Sequence, residues 1–330
     1  MAGSFTISPA MQYLGEIISL LVAVSWTITA LAADVASHRL GALNLNVIRM
    51  GLSLVFLALF LWIFTGAPYP QFTSVRTWIW LALSGLVGYL FGDWCLFNSY
   101  VIFGSKYGQL FMTISPMIAG LSAWIFLGET LTWRSLIAMA VTLSGIALAI
   151  LARSDDGRRL RVRLPLKGIL FGLGAGLGQG LGLVLSKIGL AEYSASFAAA
   201  TASSGQVTTL LPFETAMPFA GTFIRATFGL LGFIVIVSCK RRFSSVAGCF
   251  HDRQGMKFAL ITTFFGPFLG VSLSLAAVSL APAGIASTLM ALTPMLIIVP
   301  YAIINHQRIS FREVIATAIT LTGVALFFLL

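Results

Sequence analysis

Residues 116–150 read PMIAGLSAWIFLGETLTWRSLIAMAVTLSGIALAI, and residues 294–328 read PMLIIVPYAIINHQRISFREVIATAITLTGVALFF. The two stretches lie 178 positions apart, align without a gap and agree at 12 of 35 positions. The matched residues include the pairs Pro116 with Pro294, Arg134 with Arg312, and Gly145 with Gly323. Shared apolar composition alone would not keep this framework in register, so the stretches indicate an internal repeat.

The repeat extends from these stretches toward the start of each copy. A shift of 176 positions places Arg49 on Arg225, and a shift of 153 places Gly15 on Gly168. The change of shift predicts 23 extra residues in the second copy, around 191–212. We therefore divide the chain into a first unit at 1–151, a basic linker at 152–166 and a second unit at 167–330.

The composition is that of a membrane protein. Hydrophobic residues make up 58% of the 330 residues and charged residues only 9%, with a mean hydropathy of +0.97. Because a soluble domain is about one quarter charged, no water-soluble fold of this size could bury so much apolar surface. One crossing of the hydrocarbon core takes about 20 apolar residues. Apolar windows predict an all-α integral membrane protein of ten transmembrane helices, at 13–33, 43–64, 78–97, 107–127, 133–151, 167–190, 217–237, 256–279, 283–304 and 311–330.

Each unit contains five predicted spans, which is an odd number. The second unit must therefore enter the membrane from the side opposite to the first. We expect two inverted five-helix repeats, an arrangement characteristic of secondary transporters whose substrate site lies between the repeats.

The basic residues are distributed unevenly between the predicted loops. The net charge is +10, and 15 of the 20 lysines and arginines lie in loops after odd-numbered helices, against two on the other face. This distribution indicates membrane topology rather than a nucleic-acid surface. It places both termini outside the cytoplasm. We expect the membrane to be the bacterial cytoplasmic membrane.

Two charged residues in the first unit are predicted to lie at similar depth within the membrane. Asp93 is late in the third helix and Arg49 is early in the antiparallel second helix. Charges within spans cost about 2.5–3.5 kcal/mol on insertion scales and suggest function. Two interpretations stay open, namely a buried Arg49–Asp93 ion pair that locks the first unit, or a proton or substrate site at Asp93.

The second unit differs at this position. The residue that corresponds to Asp93 is Val271, so Arg225 lacks an equivalent partner. We hypothesise that Arg225 and Lys187, near the end of the sixth helix, offer positive charge to an anionic substrate group such as a carboxylate. The alternative is that both cations pair at the membrane surface with two glutamates, Glu192 and Glu214.

The sixth helix contains the glycine-rich run FGLGAGLGQGLG at 171–182. The run lacks the G-x-G-x-x-G spacing of a dinucleotide site. Glycines on one face of a membrane helix allow close helix packing, and here that face is formed by Gly172, Gly176 and Gly180. A pliable helix that exposes Gln179 to a cavity is the alternative. Trp26 maps near Gln179 in the repeat and is expected to face the same cavity, as a packed aromatic or as a substrate platform.

Pro116 and Pro294 occupy equivalent positions that are predicted to lie inside helices. Proline removes a backbone hydrogen bond and disfavours a straight helix. The pair therefore predicts either a gating hinge or two static kinks. The segment at 194–209, rich in Ala, Ser and Thr, is expected to form a lid or a loose loop.

In these features the chain resembles the drug/metabolite transporter superfamily, specifically its ten-helix EamA-type members. The residues that carry the resemblance are Trp26, Arg49, Gly104-Ser105, Ser115-Pro116, Gly128-Glu129, Gly145, Arg225, Thr293-Pro294 and Gly323. The resemblance implies transport of a small metabolite without a bound cofactor, through a cavity lined by helices one, three, four, six, eight and nine. It also implies cytoplasmic termini, which disagrees with the charge distribution.

Other function classes fit the residues less well. An intramembrane aspartyl protease needs a second membrane aspartate besides Asp93, a serine type needs a membrane histidine, and metal chemistry needs a His/Cys/Asp cluster. The predicted spans contain none of these. We therefore expect no enzyme activity and no metal. A lipid-linked carrier or a non-transporting membrane partner stays open as an alternative. Without an ATP-binding motif, transport is expected to follow a gradient, with proton coupling through Asp93 or Glu16.

Overall fold

The computed structural model of the protein describes residues 13–152, 165–204, 212–297, 300 and 311–329. Within these residues every regular element is helical, which confirms the all-α prediction for the described part of the chain. Most of the basic linker predicted at 152–166 lies outside the described residues.

The first unit is built of six α-helices, two of which are joined by a π-helical segment. The α-helices are α1 (Leu14–Leu40), α2 (Ala42–Thr65), α3 (Val75–Gly85), α4 (Trp94–Met112), α5 (Ser115–Leu127) and α6 (Trp133–Ala152). The π-helical segment Leu86–Asp93 connects α3 to α4.

The second unit follows the same plan with a longer first helix. Its described helices are α7 (Leu166–Ser204), α8 (Phe213–Cys239), α9 (Phe243–Cys249), α10 (Arg253–Thr263), α11 (Val271–Leu280), α12 (Ala283–Met290), α13 (Thr293–Leu296) and α14 (Phe311–Leu329). The π-helical segment Phe264–Gly270 connects α10 to α11.

Six described helical segments are long and apolar enough to cross a membrane. They are Leu14–Leu40, Ala42–Thr65, Val75–Ile102, Leu166–Ala202, Phe213–Cys239 and Arg253–Leu280, and two shorter apolar helices lie at Ser115–Leu127 and Ile315–Leu326. Large apolar side chains such as Trp62 and Trp124 are about 60% exposed on the outside of the bundle. A surface of this kind is suited to lipid rather than to water.

The two π-helical segments occupy corresponding positions in the repeat. Leu86–Asp93 begins 178 residues before Phe264–Gly270, the same shift that aligns the two prolines. A π-helix is rare and often marks a functional site. The repeat therefore preserves an unusual backbone geometry as well as a residue pattern.

Helices α6 and α14, which correspond in the repeat, pack against each other through reciprocal contacts. A β-carbon built on Gly145 would lie 2.6 Å from the backbone nitrogen of Thr320. A β-carbon built on Gly323 would lie 2.5 Å from the backbone nitrogen of Thr142. The two units thus meet here through the same pair of residues, with the roles of the units exchanged.

One helix in each unit is interrupted at the same point. Helix α4 ends at Met112 before α5 begins at Ser115, and α12 ends at Met290 before α13 begins at Thr293. Pro116 and Pro294 lie in the first turn of the new helix, where a missing N–H removes no helical hydrogen bond. The mid-helix position predicted for both prolines is therefore wrong, because the helix has already ended before each of them.

Two predicted connections are helical. The loop expected at 98–106 is replaced by helix α4, which bends at Gly104 with φ 81° and ψ 167°, a conformation that glycine adopts readily. The lid or loose loop expected from residue 194 is helical as far as Ser204. Its alanines favour helix, and Phe197 stacks on Phe213 with ring centroids 3.9 Å apart. Residues 205–211 lie outside the described part.

Candidate functional site

Two adjoining cavities lie between the units. Arg225 lines the first cavity, and Arg49 and Asp93 line the second cavity. Both cavities are lined by Trp26, Gln109, Met112, Gln179 and Val271. The structure therefore places Trp26 and Gln179 at the same cavity, as expected from their correspondence in the repeat.

The two units contribute equivalent residues to the first cavity. Positions related by the 178-residue shift are Gln109 with Ser287, Met112 with Met290, and Ser115 with Thr293. These residues lie at the helix interruptions or about one helical turn before them. The cavity therefore lies at the boundary between the units and next to the broken helix of each.

Asp93 is the acidic group of the second cavity. It is 5% exposed and accepts hydrogen bonds from Arg49 Nη1 to Oδ2 at 3.2 Å and from Gln179 Nε2 to Oδ1 at 2.6 Å. Arg49 Nη1 also donates to Asn46 Oδ1 at 3.2 Å, and its guanidinium lies 4.5 Å from the centre of the Phe97 ring. The structure thus brings Arg49 and Asp93 together as an ion pair, and Gln179 of the second unit engages the same carboxylate.

Arg225 is buried beside the first cavity and has a different environment. It is 3% exposed, and its guanidinium lies 4.9 Å from the centre of the Tyr89 ring. Its Nε is buried without a hydrogen-bond partner, as is that of Arg49, so the two sites differ in their acidic partner and not in this atom. Among the described residues no carboxylate lies within ion-pair distance of Arg225.

Each arginine reaches a glycine of the other unit. A β-carbon on Gly88 would lie 2.8 Å from Nη2 of Arg225, and a β-carbon on Gly266 would lie 3.0 Å from Nη2 of Arg49. Gly88 and Gly266 correspond in the repeat and lie in the two π-helical segments. The glycines therefore make room for guanidinium groups that cross the boundary between the units.

Lys187 does not join Arg225 at the cavity. Its ammonium lies 2.6 Å from Glu129 Oε1 and donates to the carbonyl oxygen of Ala281 at 2.8 Å. The other carboxylate oxygen of Glu129 accepts from the backbone N–H of Ala283 at 3.0 Å, at the start of α12. The predicted substrate role of Lys187 is corrected on this geometry, because its charge is already paired. The partner is Glu129 rather than Glu192 or Glu214.

A second charged contact links the units near the far end of α1. Arg39 donates from Nε to Asp252 Oδ2 at 2.8 Å and from Nη2 to Oδ1 at 2.9 Å. Asp252 also accepts from the backbone N–H of Gly255 and so caps α10. Sequence reasoning missed both inter-unit ion pairs, although the position of Asp252 before an apolar helix is a typical N-cap signal.

Helix α7 packs closely on both of its glycine faces. Gly172 and Gly176 approach Phe111, and Gly180 approaches Ile118. The opposite face approaches the first π-helical segment, where a β-carbon on Gly178 would lie 2.6 Å from the Cα of Gly92. The glycines thus bring the backbone of α7 against the elements that carry Asp93 and the first helix interruption.

Sequence comparison identifies the family. The model of the EamA-like transporter family matches residues 13–151 and 198–329. The chain belongs to the EamA-like transporter family. This EamA-like transporter is thus an integral membrane protein of the drug/metabolite transporter superfamily, whose EamA members are generally not enzymes.

Comparison with other proteins adds the fold of this EamA-like transporter. A solved crystal structure aligns with it at a TM-score of 0.62 and 16% sequence identity, covering 96% of each chain. At that identity the likeness shows the fold alone. No curated protein matches the chain.

Proposed function

We propose that this EamA-like transporter is a secondary carrier of a small, carboxylate-bearing metabolite, such as an amino acid or another organic acid. Ten membrane spans form two inverted five-helix repeats, which alternate to expose a central cavity to either side of the bacterial cytoplasmic membrane. The protein needs a lipid bilayer and a solute or proton gradient, and it has no nucleic-acid partner and no cofactor.

The observation that carries this proposal is the environment of Arg225. A buried guanidinium without an acidic partner is costly in a membrane protein, and such groups commonly mark substrate pathways. A carboxylate matches the fork of donors on arginine and forms strong charge-assisted hydrogen bonds with it. A substrate carboxylate would therefore supply the acidic partner that Arg225 lacks among the described residues.

The reciprocal contacts support alternation between the units. The Gly145–Thr320 and Gly323–Thr142 contacts are the same contact with the units exchanged, and so are the contacts of the two arginines with Gly88 and Gly266. In an inverted-repeat carrier, exchange of the conformations of the two repeats converts one access state into the other. Contacts that are the same in both directions between the units are consistent with such an exchange.

The lipid-carrier alternative is less well supported. It requires cations that are open laterally to the bilayer at headgroup depth. Arg49 and Arg225 are each 3% exposed, and Lys187 is engaged by Glu129. None of these three cations is therefore presented to a lipid headgroup.

Metabolite profiles of cells with and without the protein test the proposal, because they report substrate class and direction together. We expect one set of carboxylates to change in level, and Arg225→Gln to remove the change. Arg76→Gln, which alters an exposed arginine at the start of α3, is the matched control. If no metabolite responds, and proteoliposomes take up none of a panel of amino acids and other organic acids, the protein is not a carrier of this kind.

Coupling is tested separately in proteoliposomes. A proton-driven carrier that uses Asp93 or Glu16 loses concentrative uptake when an uncoupler collapses the proton gradient. Solute exchange that continues at the same rate would exclude proton coupling and would leave a solute counter-gradient as the driving force.

A further inference from the structure

The charges around the two cavities are unequal in number. The described lining contains two cations, Arg49 and Arg225, and one anion, Asp93. The remaining polar lining groups are neutral amides, hydroxyls and the indole of Trp26. The described lining thus carries one positive charge in excess.

The charge of Asp93 is already balanced by a cation of the protein, Arg49. One oxygen accepts from Arg49 and the other from Gln179. A substrate ammonium group would have to share this single carboxylate with Arg49, which would bury two cations against one anion, and a buried charge without its own partner is strongly unfavourable.

Three other acidic residues do not supply a carboxylate that could pair with a substrate ammonium group. Glu16, Asp34 and Glu129 are absent from the described lining of both cavities. Glu129 is in addition committed to Lys187 and to the start of α12. Within the described lining, the protein therefore offers an unpaired cation to a negative group, whereas its one carboxylate, that of Asp93, is already paired with Arg49.

From this balance we propose that the cavity selects organic anions that carry no ammonium group, and discriminates against zwitterionic amino acids and amines. The proposal rests on the proposed function and narrows it: of the carboxylate-bearing metabolites named there, it keeps organic acids without an ammonium group and excludes amino acids. Binding of one anion brings the charge of the lining to zero, whereas a zwitterion leaves its ammonium without an acidic partner.

Ligand sets that share one apolar side chain and differ in whether they carry a carboxylate, an ammonium group or both test the selection. The first set is 4-methylpentanoate, leucine and isoamylamine, and the second is 3-phenylpropionate, phenylalanine and phenethylamine. Binding to the purified, detergent-solubilised full chain is measured by isothermal calorimetry and by the shift in melting temperature. We expect the carboxylates to bind at least about tenfold more tightly than the amino acids of the same set, and the amines not to bind.

Three variants assign the selection to Arg225. Arg225→Gln is expected to weaken carboxylate binding by about tenfold or more, Arg225→Lys by less, and the exposed control Arg76→Gln not at all. Val271→Asp places a carboxylate at the position equivalent to Asp93 while Arg225 is retained. It is expected to abolish carboxylate binding, and it keeps the test decisive if the glutamine variant fails to fold.

Three results would overturn the proposal: equal or tighter binding of the amino acids, unchanged carboxylate binding in both Arg225→Gln and Val271→Asp, or no binding of any carboxylate. The same ligands are then tested for flux in proteoliposomes. Selective carboxylate binding without flux would contradict the carrier function alone. Flux of amino acids at the rate of the carboxylates would contradict the charge selection alone.

Discussion

Arg49 and Arg225 occupy corresponding positions in the two units, and each reaches toward a glycine in the π-helical segment of the other unit. They differ in what neutralises them. Arg49 forms an ion pair with Asp93, whereas Arg225 faces a cavity next to Val271. A single difference between the copies, Asp93 against Val271, thus gives one arginine a carboxylate partner, whereas the other has none within ion-pair distance among the described residues.

Removing the acid from the first unit is expected to give the largest effect. Asp93→Val copies the second unit and leaves Arg49 buried without its partner, which typically costs about 3–5 kcal/mol in the free energy of unfolding. Thermal and denaturant unfolding in detergent measures the loss. Asp93→Asn, which keeps a hydrogen-bond acceptor, serves as the milder control. An unchanged melting temperature in Asp93→Val would show that the ion pair does not stabilise the first unit.

Adding an acid to the second unit is the converse change. In Val271→Asp the new carboxylate is expected to pair with Arg225, so the protein should fold at least as well as Asp93→Val. Loss of the charge-assisted bonds to a ligand corresponds to about 1.5–3 kcal/mol, which calorimetry with 4-methylpentanoate would detect. A variant that is as unstable as Asp93→Val would show that the introduced carboxylate does not reach the guanidinium.

The reciprocal contact between α6 and α14 predicts matched losses. Gly145→Ala and Gly323→Ala each force a methyl group against the backbone of a threonine in the other helix, and overpacking of this kind costs about 1–3 kcal/mol. Both melting temperatures are therefore expected to fall by the same amount. Gly248→Ala, at a position with open space, is the control. A large difference between the two variants would show that the contact is not equivalent in the two units.

The smallest effect concerns two helix caps that correspond in the repeat. Ser74 Oγ accepts from the N–H of Thr77, and Asp252 Oδ1 accepts from the N–H of Gly255. The hydrogen bond from Arg39, followed by that from Gly255, lowers the pKa of Asp252 below its usual range. A lowered pKa gives stability that is present above the unfolded-state pKa, about 3.9, and is lost as the pH falls through the folded-state value.

The cap of the second unit should therefore weaken in acid while the serine cap does not. Between pH 6 and pH 3 we expect the melting temperature of the wild type to fall slightly more than that of Asp252→Ser, which copies the first unit. Because Arg39 and Asp252 are partly exposed, solvent screening keeps the difference small. Parallel pH profiles would show that the Arg39 contact contributes nothing measurable.

Several features of the site could be predicted from sequence, because they depend on how deep a residue lies in the membrane and on which residue corresponds to it in the other unit. Antiparallel helices brought Arg49 and Asp93 to one level, and correspondence placed Trp26 and Gln179 at one cavity.

The Lys187–Glu129 pair could not be predicted, since it depends on how the end of α7 packs beside the connection after α5. The helical extension to Ser204 was missed because its polarity resembled a loop, although alanine favours helix. Hydropathy does not distinguish a π-helix from an α-helix, so neither π-helical segment was predicted.

The matching π-helical segments also bear on the history of the molecule. A π-helix usually forms a single turn within an α-helix and is rare, so two at the same register are most simply explained by descent of the two units from one ancestral unit. The wide turn would then predate the duplication that joined the units. The difference between Asp93 and Val271 arose afterwards, as the copies diverged. The fold would thus have been inherited in duplicate, whereas the charge balance of the cavity depends on a position at which the copies differ.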